Sequence, residues 1–410
     1  MTKAKKIVRI EDYAPLIGEQ AAERIQKKAE ALKDFRVLHI NSTFYGGGVA
    51  QLLSSFVVLL GTLGLKADWR TIHGSPDFFS VTKKIHNALQ GGDINLTDRK
   101  LQIYRDTIYE NTFMMHPDNE DMVVVHDPQP LLLIEFYKKR CPWVWRCHID
   151  LSKPHPLLWQ AMSQAVERYD AAIFHVPEYA RELRVPQLFF MPAIDPFSTT
   201  NKPLLEHEAD ERLAHYHIPT DLPIVAQVSR FDRWKDPIGV IEAFKLARKK
   251  GVRATLVLLG NIAADDPEGT DVYQALLSHQ EERILILSCQ DAALVNSLQS
   301  RSAVIFQKSI REGFGLTVTE AMWKGAAVIG GNVGGIRHQI QDGSNGFLVN
   351  SVAEAADRLV RLLEDPGLRR SIGNAARETV RSKFLLSRYI EQHLDLYGAF
   401  EAEFRLKCLV

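Results

Sequence analysis

The sequence has few cysteines and lacks any long apolar run. Its four cysteines form no CxxC pair and fit no disulfide framework, which favours reduced thiols and gives no support to a zinc site. The basic segment at residues 1–9 leads into Glu11 and Asp12 without the apolar stretch of a secretory signal. The most apolar run, at residues 56–60, is much shorter than the ~20 residues that span a bilayer. These absences predict a cytoplasmic protein.

The chain also lacks an excess of either charge. It has 50 Lys and Arg residues and 50 Asp and Glu residues, so the formal net charge is +0. A neutral chain has no bulk attraction to polyanions, and neither a nucleic-acid partner nor a membrane partner is expected. The 410 residues are 46% hydrophobic, which allows a large core, and at ~150 residues per domain they suggest two or three domains.

Apolar strand-like runs alternate with amphipathic helical stretches along most of the chain. The runs lie at residues 36–40, 122–125, 144–147, 171–174, 223–228, 254–259, 284–287, 303–306 and 326–329. Buried strands separated by helices predict a parallel α/β sheet. Residues 191–203 interrupt the alternation with three prolines, which is typical of an interdomain linker. Each side is long enough for a doubly wound sheet, and two such halves facing each other would form a cleft.

The richest motif lies where a predicted strand leads into a glycine-bearing turn and then into a helix. Glycines at 313 and 315 let a ligand approach the backbone, and the first-turn amides of a helix that begins near Gly315 favour an anion such as phosphate. Glu312 and Glu320 flank this anion site, and carboxylates suit sugar hydroxyls, so the motif suggests a sugar nucleotide. The alternative is that Glu320 only complements the helix dipole and that Glu312 is solvated.

A basic loop follows the predicted strand at residues 223–228. Arg230 offers a fork of donors and Lys235 a mobile positive charge, a combination that suits a diphosphate leaving group. The alternative is a solvated loop in which these cations pair with Asp232 and Asp236.

Three consecutive glycines, Gly46, Gly47 and Gly48, follow the first predicted strand and open a helix. They permit close approach of a ligand or a flexible lid, and the alternative is a purely structural turn. Their spacing is not that of a GxGxxG fingerprint, so a nicotinamide cofactor is not expected.

Two strands of the N-terminal half end in histidine and aspartate. His126 and Asp127 end one strand, and His148 and Asp150 follow another, so both histidines are predicted at the same edge of the cleft. An imidazole can donate to a sugar hydroxyl or to a developing charge, and a carboxylate can bind acceptor hydroxyls. The alternative is that each histidine is a structural residue with satisfied hydrogen bonds.

Together these motifs resemble the retaining, glycogen-synthase-like glycosyltransferases of family 4. Glu312 and Glu320 match the E-x7-E signature of that family, and Arg230 with Lys235 matches its diphosphate-binding pair. Nearly the whole chain shares in the resemblance. The segments most similar to the branch of nucleotide-sugar-dependent trehalose synthases, to which retaining trehalose phosphorylases are related, are residues 46–51, 125–130 and 145–152.

The resemblance implies a GT-B fold with two Rossmann-like domains and an active site between them. An acceptor domain would occupy residues 1–195 and a nucleotide-sugar donor domain residues 196–384. A C-terminal helix at 385–410 would return to the first domain.

The resemblance also implies roles for the residues of the second half. Glu312 would contact the donor glucose and Glu320 the ribose hydroxyls. Arg230 and Lys235 would neutralise the leaving diphosphate. The donor would also be bound by the residues of the glycine turn, which are Gly313, Phe314, Gly315, Leu316 and Thr317.

In the first half, the resemblance places His148 beside the donor sugar and Gly47 and Gly48 in a loop that closes over donor and acceptor. The acceptor would be bound by His126, Asp127 and Asp150. The loop lacks the histidine or basic residue that many relatives carry, so acceptor preferences from outside the trehalose branch do not transfer.

The resulting hypothesis is a retaining glucosyltransferase that moves glucose from UDP-glucose or ADP-glucose to free glucose and forms α,α-trehalose, in a reaction that can run in either direction. Neither a cofactor nor a metal is implied. The alternatives are a trehalose phosphorylase and a GT-B-fold regulatory protein that binds sugar or phosphate. A protein that only binds sugar or phosphate need not retain all four charged residues, and their presence disfavours the regulatory protein. These residues are Arg230, Lys235, Glu312 and Glu320. The oligomeric state is left open, a homodimer included.

Overall fold

The fold is described from a computed structural model of the chain. It describes residues 7–45, 47–261 and 269–408, with only the backbone of 404–408. Gly46 of the predicted loop and the side chain of Cys408 therefore lie outside the described residues.

The chain divides into two compact units. Unit 1 contains the described residues up to Tyr45, Val49–Ala193 and the segment from Leu385 onward. Unit 2 contains Ile194–Phe384 together with Gly47 and Gly48.

Unit 1 is built on a six-stranded sheet. Its strands are β1 (Arg36–Asn41), β2 (Lys66–Thr71), β3 (Met122–His126), β4 (Trp143–Arg146), β5 (Ala171–Phe174) and β6 (Gln187–Phe189). Their order is β2-β1-β3-β4-β5-β6, and every neighbouring pair is parallel. Every residue of β3, β4 and β5 is buried, as expected for a parallel sheet that is covered on both faces.

Seven α-helices of unit 1 are described. They are α1 (Ala14–Ile17), α2 (Glu19–Glu30), α3 (Gly48–Thr62), α4 (Pro76–Leu89), α5 (Asp98–Met115), α6 (Pro156–Val166) and α14 (Leu386–Cys408). Short 3₁₀ helices lie at Ile10–Tyr13, Pro117–Asn119, Leu131–Glu135 and Pro177–Tyr179. The C-terminal helix α14 packs within this unit: Arg24 of α2 pairs with Glu391 at 2.6 Å, and the Tyr397 ring stacks on Phe35 with centroids 5.6 Å apart.

Unit 2 contains a second six-stranded parallel sheet. Its strands are β7 (Ile224–Val228), β8 (Thr255–Gly260), β9 (Ile284–Ser288), β10 (Ser302–Gln307), β11 (Ala327–Gly331) and β12 (Phe347–Val349). Their order is β12-β11-β10-β7-β8-β9. This is the strand order of a Rossmann sheet, with the order reversing between β7 and β10. Both sheets confirm the predicted parallel α/β class.

Seven α-helices of unit 2 are described. They are α7 (Glu206–His215), α8 (Pro237–Lys249), α9 (Gly269–Leu277), α10 (Ala292–Arg301), α11 (Leu316–Trp323), α12 (Val352–Glu364) and α13 (Pro366–Lys383), with 3₁₀ helices at Arg233–Lys235 and Gly334–His338. Local sequence fixes where α8 starts, because Pro237 occupies its first position and Asp236 caps it by accepting from the Gly239 amide at 3.1 Å.

Three cysteines and the apolar character of the helices can be described in the structure. Cys141, Cys147 and Cys289 are free thiols. Within residues 7–45, 47–261 and 269–408, no helix is both long and apolar enough to cross a bilayer.

Candidate active site

The point where the strand order of the unit 2 sheet reverses carries the charged residues that the sequence singles out. Arg230 lies two residues beyond the end of β7, and Lys235 lies in the 3₁₀ helix that follows. Glu312 lies five residues beyond the end of β10. Because β7 and β10 are adjacent in the sheet, the two loops meet, and the Ile310 amide donates to the Trp234 carbonyl at 2.8 Å.

Lys235 and Glu312 form an ion pair in this site. Lys235 Nζ lies 2.5 Å from Glu312 Oε2, and the side chains keep 18% and 9% of their surface exposed. The same carboxylate oxygen accepts from Ser309 Oγ at 3.2 Å and from Gln307 Nε2 at 3.4 Å. Gln227 of β7 donates to the Lys235 carbonyl at 2.8 Å. Three donors on one oxygen fix the orientation of the Glu312 carboxylate.

The glycine turn before α11 is held in one conformation by its neighbours. Gly315 has a φ of +85°, which favours glycine, and a Cβ there would lie 3.2 Å from Glu312 Cγ. Gln339 Nε2 donates to the Phe314 carbonyl at 2.6 Å, and a Cβ on Gly335 would lie 2.4 Å from Phe314 Cα. The first-turn amides of α11 follow this rigid turn and, with the helix dipole, offer an anion site at the carboxyl end of the sheet.

Gly48 and Leu316, two residues of unit 2 that the sequence assigns to the donor site, lie close together. A Cβ at Gly48 would be 3.0 Å from Leu316 Cδ1, and a Cβ at Gly47 would meet no described atom within 4 Å. Next to Leu316, Thr317 donates from Oγ1 to Gln307 Oε1 at 3.2 Å. A side chain larger than that of glycine at position 48 would therefore crowd the start of α11.

Glu320 lies in the second turn of α11 and is 2% exposed. Lys324, one turn later, donates to Asn201 Oδ1 at 3.0 Å and to Gln299 Oε1 at 2.9 Å. Burial lowers the pKa of Lys324 to about 8, and the negative charge of Glu320 opposes this shift. Lys324 thus ties the end of α11 to α10 and to the segment before α7.

The lowered pKa of Lys324 predicts a pH-dependent contribution to stability. In the unfolded chain this lysine titrates near its ordinary pKa of 10.5, so between pH 8 and 10.5 the unfolded state binds more protons and stability rises with pH. Relative to the non-titrating variant Lys324→Met, the free energy of unfolding of the wild type should rise by roughly 3 kcal/mol across this window. Urea unfolding of both proteins at several pH values measures the difference, and a difference independent of pH would contradict the prediction.

In unit 1, four histidines on adjacent strands form a hydrogen-bonded series, here called the histidine row. His39 lies in β1, His126 ends β3, and His148 and His175 follow β4 and β5. His39 Nδ1 lies 2.9 Å from His126 Nε2, and His126 Nδ1 lies 2.9 Å from His148 Nε2. His148 Nδ1 lies 3.3 Å from His175 Nε2. At the other end, the Tyr397 hydroxyl of α14 lies 3.2 Å from His39 Nε2.

Burial keeps His39, His126 and His148 uncharged. His39, His126 and His175 are at most 2% exposed, whereas His148 is half-buried. Desolvation lowers the pKa of His39 to about 3 and the pKa values of His126 and His148 well below their ordinary range, with a further contribution from the buried Arg146 guanidinium at the latter two. The ring nitrogens pair in series, and no group of three or more His, Cys, Asp or Glu among the described residues is arranged to hold a metal ion.

The two predicted aspartates shape the turns beside this row. Asp127 has a φ of +66°, and its Oδ1 accepts from the His148 amide at 2.7 Å. Its carbonyl accepts from Trp145 Nε1 at 3.1 Å. Asp150 is 5% exposed, and its Oδ1 accepts from the Ser152 amide at 2.8 Å. Asp127 therefore fixes the backbone that carries His148.

The chain is 44% identical to the trehalose synthase of Pyrococcus horikoshii over 399 residues, which cover 95% of this chain and 96% of that protein. The chain belongs to the trehalose synthase family. The trehalose synthase of Rubrobacter xylanophilus is 38% identical, with 94% of this chain and 96% of that protein covered. The family model described as trehalose synthase, N-terminal domain, matches residues 39–181, and the one described as glycosyl transferases group 1 matches residues 209–379.

This member of the trehalose synthase family also resembles solved glycosyltransferase structures. A sucrose-phosphate synthase from Thermosynechococcus elongatus aligns with a TM-score of 0.71 and 19% identity, covering 90% of this chain and all of that one (100%). At this identity the likeness concerns the fold, and it confirms the predicted GT-B fold.

In this member of the trehalose synthase family, some of the predicted residues are in contact with one another within each unit. Unit 2 brings Lys235 and Glu312 into direct contact beside the glycine turn. Unit 1 joins His126 to His148 through their rings and Asp127 to His148 through its backbone. The roles assigned to these residues stay predictions.

Sequence reasoning missed several residues that support the two groups. Gln307 and Ser309 orient Glu312, and His39, His175 and Tyr397 extend the histidine row. A signal for His175 was present, because it follows an apolar strand just as His148 does. Tyr397 gave no signal, since it lies within the helical pattern of the C-terminal segment.

Proposed function

We propose that this protein transfers glucose from a nucleoside diphosphate glucose to the anomeric hydroxyl of free glucose, with retention, and so forms α,α-trehalose. The observation that carries the proposal is the Lys235–Glu312 ion pair beside the glycine turn at the start of α11. A cation, a carboxylate and a helix N-terminus in one place suit a ligand that combines an anionic diphosphate with a neutral sugar. Membership of the trehalose synthase family supports trehalose as the product.

The donor is assigned to unit 2. Glu312 contacts the hydroxyls of the donor glucose, Glu320 binds the ribose hydroxyls, and Arg230 with Lys235 binds the diphosphate. The backbone and side chains that complete the donor site are those of Gly47, Gly48, Gly313, Phe314, Gly315, Leu316 and Thr317. The ion pair leaves two of the three N–H groups of Lys235 Nζ for phosphate oxygens. Lys235 can therefore bind the nucleotide sugar without breaking its ion pair with Glu312.

The proposed reaction breaks one bond and forms another on the same face of the sugar. The bond between the glucose C1 and the phosphate oxygen breaks, and the diphosphate leaves with the electron pair. The anomeric oxygen of the acceptor glucose bonds to C1, and its proton passes to the departing phosphate oxygen. Arg230 and Lys235 stabilise the negative charge that grows on the diphosphate, so neither carboxylate has to act as a covalent nucleophile.

The acceptor glucose is assigned to unit 1, with His148 beside the donor sugar. Asp127 and Asp150 supply carboxylates for the acceptor hydroxyls. Both ring nitrogens of His126 are hydrogen-bonded within the histidine row. His126 is therefore assigned to the acceptor site indirectly, through its hydrogen bond to His148.

The test is a product analysis with defined donors. Purified protein is incubated with glucose and either UDP-glucose or ADP-glucose, with and without inorganic phosphate, and the disaccharide is identified by NMR. We expect an α,α-1,1-linked disaccharide that requires the nucleotide sugar and appears in equal amount to the nucleoside diphosphate released.

Other outcomes separate the alternatives. Formation of the disaccharide from glucose 1-phosphate without a nucleotide, and its cleavage by phosphate, would identify a phosphorylase. Transfer from the nucleotide sugar to a different acceptor would support a glycosyltransferase but would rule out trehalose as its product. If no donor binds or turns over, the result would favour a regulatory binding protein over an enzyme.

A further inference from the structure

The histidine row runs diagonally across the unit 1 sheet toward the carboxyl ends of the strands. His126 lies two residues beyond the position opposite His39, and His148 lies two residues beyond the position opposite His126. The row therefore begins in the core, at Tyr397 and His39, which are both 0% exposed. It reaches solvent at the half-buried His148.

A series of neutral imidazoles must be oriented in one direction throughout. Each neutral ring has one N–H donor and one acceptor nitrogen, so a ring that accepts a hydrogen bond at one nitrogen donates from the other. The direction of the hydrogen bond at one end of the row therefore sets the direction of every other hydrogen bond in it. Two directions are open in principle: from Tyr397 toward His175, or from His175 toward Tyr397.

Tyr397 decides between the two directions. Among the described residues, the only hydrogen-bond partner of its buried hydroxyl is His39 Nε2. If His39 donated to the tyrosine, the tyrosine O–H would be left buried without an acceptor, which is costly. The hydroxyl therefore donates, and the row is directed from Tyr397 toward His175.

This direction places the proton on Nδ1 in three successive rings. His39 Nδ1–H donates to His126 Nε2, and His126 Nδ1–H donates to His148 Nε2. His148 in turn carries its N–H on Nδ1, facing His175 Nε2. Neutral histidine in water carries its proton mainly on Nε2, so the row imposes the less common tautomer on His148.

A ligand can reach the row at His148, because the other three histidines of the row are at most 2% exposed. The contact between His148 Nδ1 and His175 Nε2 is 3.3 Å, against 2.9 Å for the two contacts between His39, His126 and His148. A bond of this length is weak, and a hydroxyl oxygen can replace His175 as the acceptor.

We propose that Tyr397 and the histidine row are positioning residues that present His148 to the donor glucose as a neutral Nδ1–H hydrogen-bond donor. The inference rests on the proposed function, in which His148 lies beside the donor sugar. A neutral donor of fixed direction suits an uncharged sugar hydroxyl, which needs no proton transfer to bind.

The row is better suited to holding a proton than to conducting one. Its inner end is Tyr397, and burial raises the pKa of that phenol well above its ordinary range, so the tyrosine does not release its proton. A proton that entered at His148 would have no outlet at Tyr397. The expected consequence of cutting the row is a change of tautomer at His148, because His39 then has no donor to fix its orientation.

Nuclear magnetic resonance of ¹⁵N-histidine-labelled protein at neutral pH tests this directly. The two ring nitrogens of each tautomer give a distinct pattern, and comparison with His148→Gln identifies the signals of His148 among the 14 histidines. We expect the Nδ1–H pattern for His148 in the wild type and a mixture of tautomers in Tyr397→Phe. The Nε2–H pattern in the wild type would overturn the inference even if the variant failed to fold.

Kinetics of the same variant link the tautomer to the reaction. Loss of one orienting hydrogen bond should lower kcat/KM for the nucleotide sugar by about three- to tenfold in Tyr397→Phe. Tyr169→Phe is the matched control, because Tyr169 is equally buried in unit 1 and donates its hydroxyl to the Leu131 carbonyl at 2.7 Å. The control should lose similar stability but keep its kcat/KM and its His148 signals.

The remaining outcomes are also decisive. An unchanged His148 pattern in folded Tyr397→Phe would overturn the positioning role, and so would a changed tautomer with unchanged kcat/KM. If the wild type forms no disaccharide, the proposed function fails and the use of His148 toward glucose fails with it. The spectra need no substrate, so that failure is distinguishable from failure of the row itself.

Discussion

Replacing Arg230 with alanine should lower kcat for glucosyl transfer by about 10²–10³-fold without unfolding the protein. Arg230 is half-buried at the carboxyl end of β7, where its guanidinium is assigned to the leaving diphosphate. The charge on that group is larger in the transition state than in the bound donor, so kcat should fall more than the KM for the donor rises. Initial rates over a range of donor concentrations, at saturating glucose, separate the two constants.

The matched control for this variant is Arg233→Ala. Arg233 is an exposed arginine in the 3₁₀ helix three residues further along the chain, and no part of the reaction is assigned to it. It should keep a kcat close to that of the wild type. A near-normal kcat in Arg230→Ala, with the melting temperature unchanged, would contradict the role assigned to Arg230 in the reaction.

Lys235 is a less informative target than Arg230, although the same role is assigned to both. Its Nζ pairs with Glu312, which is 8% exposed. Removing the lysine would leave a buried carboxylate with one donor fewer, and breaking a buried pair in this way is destabilising. A loss of activity in Lys235→Ala would therefore combine lost charge stabilisation with a displaced Glu312.

Most of the strands that could be predicted from the sequence have both faces buried; the exception is the edge strand β9, in which Leu285 and Leu287 are partly exposed. Nine apolar runs coincide with strands to within two residues at either end, because a covered parallel strand has no polar face to interrupt the pattern. The three strands that were not predicted, β2, β6 and β12, each lie at the edge of a sheet. β2 carries Lys66, Asp68 and Arg70, and β6 and β12 have only three residues each. Short or charged edge strands give a weak pattern.

The candidate site divides in the same way into local and distant parts. Glu312, Gly315 and the start of α11 are neighbours in the chain, so a strand, a glycine turn and a helix in sequence were enough to predict them. The histidine row depends on contacts between different strands, and its bond from Tyr397 to His39 joins residues 358 positions apart. No local spacing encodes such a contact. Only the fold brings these residues together.

Glu320→Gln should weaken binding of the nucleotide sugar about 10- to 100-fold while kcat changes little. In the proposed site the Glu320 carboxylate accepts hydrogen bonds from the ribose hydroxyls, far from the bond that breaks. Hydrogen bonds to a charged group contribute about 1.5–3 kcal/mol, which corresponds to that range of Kd. The ribose is bound equally in the ground and transition states, so the loss should appear in the KM for the donor.

Calorimetric titration with the free nucleoside diphosphate measures the affinity, and titration with inorganic pyrophosphate provides the control. Pyrophosphate has no ribose, so its affinity for Glu320→Gln should equal that for the wild type. Because Glu320 also supports the charge of Lys324, a melting temperature for the variant is needed to exclude a displaced α11. Equal loss of affinity for both ligands would indicate such a displacement. An unchanged Kd for the nucleoside diphosphate would show that Glu320 does not bind the ribose, and the nucleotide would then have to be placed elsewhere on the unit 2 sheet.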